Sequence, residues 1–188
     1  MGVNASPSTF VRAQRYIGER VTSALERVEP ALIARAVEIL CKSSQIFVYG
    51  AGRSGIIGRA FAMRLVQTGL RAYVIGESVT PIVTRGDAVF ILSGQGETYS
   101  SLQTANIVRR EGAELIVLTA RSTSKLAHAA SLLLTLDFAE DADRPRLAPL
   151  GTLFESASLR LTDGLIAELA AVRGETEGSM RGRHAIMV

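Results

Sequence analysis

The 188-residue chain is 47% hydrophobic and carries 21 basic and 18 acidic residues spread along its length, for a formal net charge of +3. This composition predicts a single domain over residues 1–188 with a sizeable core, and it lacks the basic stripe of a nucleic-acid binder. No run approaches the ~20 apolar residues of a membrane span, no secretory signal opens the chain, and the lone Cys41 cannot form an internal disulfide; a cytoplasmic protein with neither a nucleic-acid nor a membrane partner is expected.

Residues 1–8 are small and polar and are expected to fray. Phe10 to Val28 spaces apolar residues at helical intervals, Pro30 breaks the pattern, and a second helix runs from Ala31 to Lys42, with Cys41 read as a core thiol. From Gln45 apolar runs alternate with helical segments: strand Gln45–Tyr49, helix Ile56–Thr68, strand Arg71–Ile75, strand Ala88–Leu92, helix Tyr99–Glu111, strand Glu114–Thr119, a short helix over Lys125–Ala130 and strand Leu132–Leu136. Strands that are apolar on both faces and joined by helices predict a parallel five-stranded sheet in a three-layer α/β/α sandwich. Asp137 to Pro149 reads as a solvated loop; its acidic cluster has neither the spacing of a calcium loop nor a Cys or His partner, so no metal is expected. Leu153 to Val172 is the last long helix. The chain thus divides into N-terminal helices (1–44), an α/β core (45–173) and a polar tail (174–188) that looks unable to fold alone.

Three segments stand where strands or loops give way to helices: Gly50-Ala51-Gly52-Arg53-Ser54-Gly55, Ser93-Gly94-Gln95-Gly96-Glu97-Thr98 and Leu150-Gly151-Thr152-Leu153-Phe154-Glu155. The first fits the dinucleotide pattern G-x-G-x-x-G, and Glu77 ends the next strand. Against a dinucleotide stand Arg53 and Ser54 inside the loop, two helices ahead of the first strand, and a second hydroxyl-rich turn that a pyrophosphate site does not need. Two such turns suit a phosphorylated small molecule held by backbone N–H groups and helix dipoles, with no cofactor. The donors would be the amides near Gly52 and Gly94 and the hydroxyls of Ser54, Ser93 and Thr98, side chains that otherwise cap helices. Arg53 is either a bidentate phosphate ligand or solvated. Glu97 either caps the following helix or meets sugar hydroxyls. Glu155, beside Thr152, either complements the dipole of its helix or transfers protons. His184 is either a solvated residue near the terminus or a proton donor and acceptor, and His128 reads as a packing residue.

The three segments in this order resemble the sugar isomerase, or SIS, domain family, and the likeness runs from the N-terminal helices to Arg183-His184-Ala185. Within it, Gly151-Thr152-Leu153-Phe154-Glu155 and Arg183-His184-Ala185 are similar to the 6-phospho-3-hexuloisomerases, which interconvert a 3-keto hexulose 6-phosphate and fructose 6-phosphate in the ribulose monophosphate pathway. The resemblance implies a homotetramer with sites completed across an interface, Glu155 and His184 as catalytic residues, and Gly52, Arg53, Ser54, Ser93, Gly94, Gln95, Glu97, Thr98 and Thr152 around the sugar phosphate. Gln95 departs from the serine usual in the family, which offers an amide in place of a hydroxyl. The family also contains isomerases of arabinose 5-phosphate and sedoheptulose 7-phosphate and non-catalytic sugar-phosphate sensors attached to DNA-binding domains. No such attached domain is expected from the sequence, which favours an enzyme.

Overall fold

The computed structural model of the chain describes residues 7–186. The expected fraying of residues 1–6 lies outside that range, as do Met187 and Val188. Just inside it, the Ser8 hydroxyl accepts from the Val11 N–H at 3.3 Å and caps helix α1 (Thr9–Glu26). Pro30 opens α2 (Pro30–Lys42), where its missing N–H has no partner to lose. The core follows as β1 (Ile46–Gly50), α3 (Arg53–Gln67), β2 (Ala72–Val74), β3 (Ala88–Leu92), α4 (Tyr99–Glu111), β4 (Glu114–Thr119), α5 (Lys125–Ala129) and β5 (Leu132–Thr135). A four-residue helix α6 (Arg144–Leu147), the long α7 (Thr152–Arg173) and a short α8 (Glu177–Arg181) complete the described residues.

All five strands are parallel, in the order β2-β1-β3-β4-β5. Successive side chains on each strand point to opposite faces, so each face is apolar for its own set of helices. Ile46, Val48, Phe90 and Leu92 pack with Leu40 of α2, Phe61 and Leu65 of α3 and Leu161 and Leu165 of α7. Phe47, Val89, Ile91 and Val117 pack with Ala105 and Val108 of α4 and Leu126 of α5. The three-layer α/β/α sandwich is the one the strand pattern predicts. β1 and β3 lie side by side, Gly50 opposite Leu92, yet the chain leaves β1 over one face towards β2 and leaves β3 over the other towards β4. Their carboxyl ends therefore diverge around a crevice, the ligand position of open α/β sheets.

Three segments differ from expectation. Helix α3 begins at Arg53, not Ile56, so Arg53 and Ser54 form its first turn rather than a free loop. Gly52, with φ +57°, turns the chain directly into the helix, and Gly50 and Gly55 lie so close that a Cβ on Gly50 would sit 2.7 Å from the Ser54 carbonyl carbon. The tail carries a short helix that the sequence does not predict, and it folds against the body of the domain, not alone. Thr176 and Ser179 form a reciprocal capping box at the start of α8, and the Arg183 guanidinium donates to the Gln67 carbonyl at 2.9 Å and to Glu175 at 2.8 Å, tying the tail to the end of α3.

The acidic segment 137–143 is the third correction, because Asp141 is a junction instead of a solvated charge. One oxygen pairs with Arg20 and accepts from the Tyr16 hydroxyl at 2.9 Å, both on α1; the other accepts from the N–H groups of Asp143 at 2.9 Å and Arg144 at 3.0 Å. Desolvation raises the pKa of this carboxyl, but the bonds from Tyr16 and the two backbone N–H groups and the charge of Arg20 outweigh it and leave it below its ordinary value. A depressed carboxylate pKa contributes stability that is present above the unfolded value, about 4, and is lost as the pH falls through the folded one. Asp141→Asn is therefore expected to lower the melting temperature at neutral pH, with the gap to wild type closing in acid. Thermal denaturation across a pH series measures this, and a gap independent of pH would deny the carboxylate this role.

Candidate active site

Three helices aim their N-termini at the crevice, and none of the three is capped by a side chain. The N-cap residues are Gly52 for α3, Thr98 for α4 and Gly151 for α7. Each helix start leaves backbone N–H groups without intrahelical partners and carries the positive end of a dipole, so the three together favour an anion between them. A cavity of about 400 Å³ opens there, lined among others by Ser54 of α3, Ser93, Gly94, Gln95 and Thr98 from the turn after β3, and Gly151, Phe154 and Glu155 from the start of α7. The turn is held in shape from within. The buried Ser93 hydroxyl accepts from the Gly96 N–H at 3.2 Å and lies 3.5 Å from the Thr98 hydroxyl.

Glu155 is the acidic group of the cavity. Its side chain is only 13% exposed, and Oε2 lies 2.6 Å from Nη2 of Arg53, itself 66% exposed. The contact is one of charge: Oε2 is buried and accepts no aligned hydrogen bond from any described residue. A buried carboxylate oxygen held by a countercharge without an aligned hydrogen bond keeps a lone pair available for a proton from a ligand.

The sequence-predicted residues separate into those the cavity gathers and those it does not. Ser54, Ser93, Gly94, Gln95, Thr98 and Glu155 line it, and Arg53 reaches it through Glu155. Gly52 shapes the turn behind it. Thr152 turns its hydroxyl to the Pro149 carbonyl at 2.6 Å. Glu97 neither caps α4 nor lines the cavity. Its carboxylate accepts from the Lys125 N–H at 2.9 Å, at the start of α5, and pairs with the Lys125 ammonium at 3.2 Å, which holds its pKa below the ordinary value. His184 lies on the tail beside Arg64, Gln67 and Ala170, at the far ends of α3 and α7. From Glu155 to Ala170 alone, α7 advances about 22 Å at ~1.5 Å per residue. Within one chain the two residues do not meet.

Two features of the cavity were not read from the sequence. Phe138 and Arg144 enter its wall from the segment that the sequence predicts to be a solvated loop, because Asp141 fastens that segment to α1. Leu150, 87% exposed, forms the rim in a left-handed conformation, φ +58°, that bulky residues adopt rarely.

Residues 39–159 match the SIS domain family. A 3-hexulose-6-phosphate isomerase of Methylomonas aminofaciens is 30% identical over 174 residues, covering 92% of this chain and 96% of its own length. One from Bacillus subtilis is 34% identical over 150 residues, 78% of this chain and 81% of its own. A solved structure of a hypothetical protein from Methanococcus jannaschii, with an inferred molecular function of 3-hexulose-6-phosphate isomerase, superposes with a TM-score of 0.85 at 26% identity, covering 94% of this chain and 99% of its own. Among the described residues no helix is long and apolar enough to cross a membrane.

Proposed function

We propose, because this chain belongs to the SIS domain family, that it is a 3-hexulose-6-phosphate isomerase that moves a carbonyl between C3 and C2 of a hexulose 6-phosphate without metal or nucleotide. The observation that carries the reading is the buried Glu155 oxygen, paired with Arg53 but accepting no aligned hydrogen bond from a described residue, at a cavity flanked by helix N-termini. The relatives supply the choice of sugar.

In the mechanism the phosphate rests among the uncapped N-termini of α3 and α4, with the hydroxyls of Ser54 and Thr98 and the Gln95 amide as side-chain donors. Glu155 takes the proton from C2 of the 3-ketose. The electron pair left behind forms the C2–C3 double bond, and the C3 carbonyl oxygen gains a proton to give the enediol. The O2 hydroxyl then loses its proton as C3 recovers one from Glu155, leaving the carbonyl at C2. One carboxylate serves both carbon transfers on a single face, as microscopic reversibility allows. Arg53 stabilises the charge that develops on the substrate oxygens beside it. His184 of a neighbouring subunit in a homotetramer exchanges the oxygen-bound protons.

The test is fructose 6-phosphate incubated with the protein in deuterium oxide and followed by proton NMR. Hex-3-ulose 6-phosphate with deuterium at the exchanging carbon is expected. Saturable binding with neither product nor exchange would overturn the enzyme in favour of a sugar-phosphate sensor, and absence of binding would redirect the substrate to another phosphosugar such as arabinose 5-phosphate. His184→Asn is expected to lower turnover by about 10²-fold with the circular dichroism spectrum unchanged; full activity would return His184 to a surface role.

A further inference from the structure

We infer that Arg144 is the full positive charge that grips the substrate's phosphate, and that Glu140 is its intramolecular competitor, displaced when the ligand arrives. The inference rests on the isomerase reading only for the identity of the ligand. A phosphate monoester carries close to two negative charges at neutral pH, whereas helix ends offer partial charges. Among the described residues two arginines serve this cavity. Arg53 is committed to Glu155 at 2.6 Å, and moving it to the phosphate would leave that carboxylate buried without its countercharge.

Arg144 lines the cavity and has a partner it can release. Its Nη1 lies 2.5 and 2.6 Å from the two oxygens of Glu140, and Nη2 donates to the Leu150 carbonyl at 3.3 Å. The Glu140 side chain is 77% exposed, so the ion pair is cheap to open, and the freed carboxylate passes into water. Arg144 itself is only 30% exposed, and its own N–H is bound to Asp141, which α1 holds in place. The arginine stays at the wall while its counterion changes. Its planar fork can donate to a phosphate oxygen through Nη1 while Nη2 continues to donate to the rim carbonyl.

A binding cycle on the full chain tests this, with fructose 6-phosphate and inorganic phosphate titrated separately by calorimetry. Arg144→Gln is expected to weaken both ligands roughly 10- to 100-fold, the loss of a charge-assisted hydrogen bond, and Arg144→Lys to recover part of it. Glu140→Gln is expected to tighten both by roughly two- to fivefold, the worth of an exposed ion pair, and to have no effect once Arg144 is already glutamine. An ion pair that merely shapes the loop predicts the opposite sign, with both single variants weakening binding. That result, wild-type affinity in Arg144→Gln, or a Glu140→Gln effect of equal size on both backgrounds would overturn the inference, as would a wild-type chain that binds neither anion. If inorganic phosphate follows the expected pattern and fructose 6-phosphate does not bind, Arg144 keeps its role and the sugar assignment fails.

Discussion

Glu155→Gln is expected to bind fructose 6-phosphate with near wild-type affinity while turnover falls by roughly 10² to 10⁴. Glutamine has the shape of glutamate and fills the same space at the start of α7, so the wall against Phe154 and Gly151 keeps its form. It differs in having no lone pair basic enough to take a carbon-bound proton. Arg53 loses a counterion in the variant, but its guanidinium is mostly in water and remains hydrated. A loss confined to kcat, with solvent deuterium no longer entering the sugar, would identify Glu155 as the base. Wild-type turnover would remove it from the chemistry, and a loss of affinity alone would make it a binding residue.

The second large effect is structural. In Gly55→Ala the new Cβ would fall on the Gly50 carbonyl oxygen, a contact with backbone that no side-chain rotation relieves. Strand β1 and helix α3 must separate, at a cost of about 1 to 3 kcal/mol as for an overpacked core, and the first turn of α3 moves away from the turn after β3. Urea denaturation should show the loss of stability, and phosphate binding should weaken with it. Gly18→Ala is the control. It lies within α1 with nothing within 4 Å of the added carbon, and it should gain about 0.5 to 1 kcal/mol from helix propensity alone. Equal behaviour of the two variants would show that close approach of β1 and α3 is not what glycine provides at position 55.

The sheet was legible because its strands are apolar on both faces. Strand β3 (Ala88–Leu92), strand β4 (Glu114–Thr119) and helix α4 (Tyr99–Glu111) fall where the sequence places them, the last ended by Gly112 in the left-handed region. The start of α3 was not legible, since Arg53, Ser54 and Gly55 carry no apolar period and the helix there is set by the backbone of Gly52. Helices α6 and α8 are too short to show a period at all. The two turns of the candidate site were readable from small residues at strand ends, a position that topology makes chemical. Arg144 was not, because its place depends on contacts between Asp141 and α1 residues some 120 positions earlier. Glu97 shows the converse: a residue embedded in a binding motif whose carboxylate secures a neighbouring helix.

The pairing of a buried Glu155 with an exposed Arg53 has a consequence for how this protein can change. Taking a carboxylate out of water costs stability that a mostly exposed arginine offsets only in part. On the proposed mechanism, replacement by an apolar side chain of similar size would relieve that cost and silence the base in one step. On that mechanism robustness to heat and catalytic competence are opposed at a single side chain, and drift without demand for catalysis would favour the sturdier, inert protein.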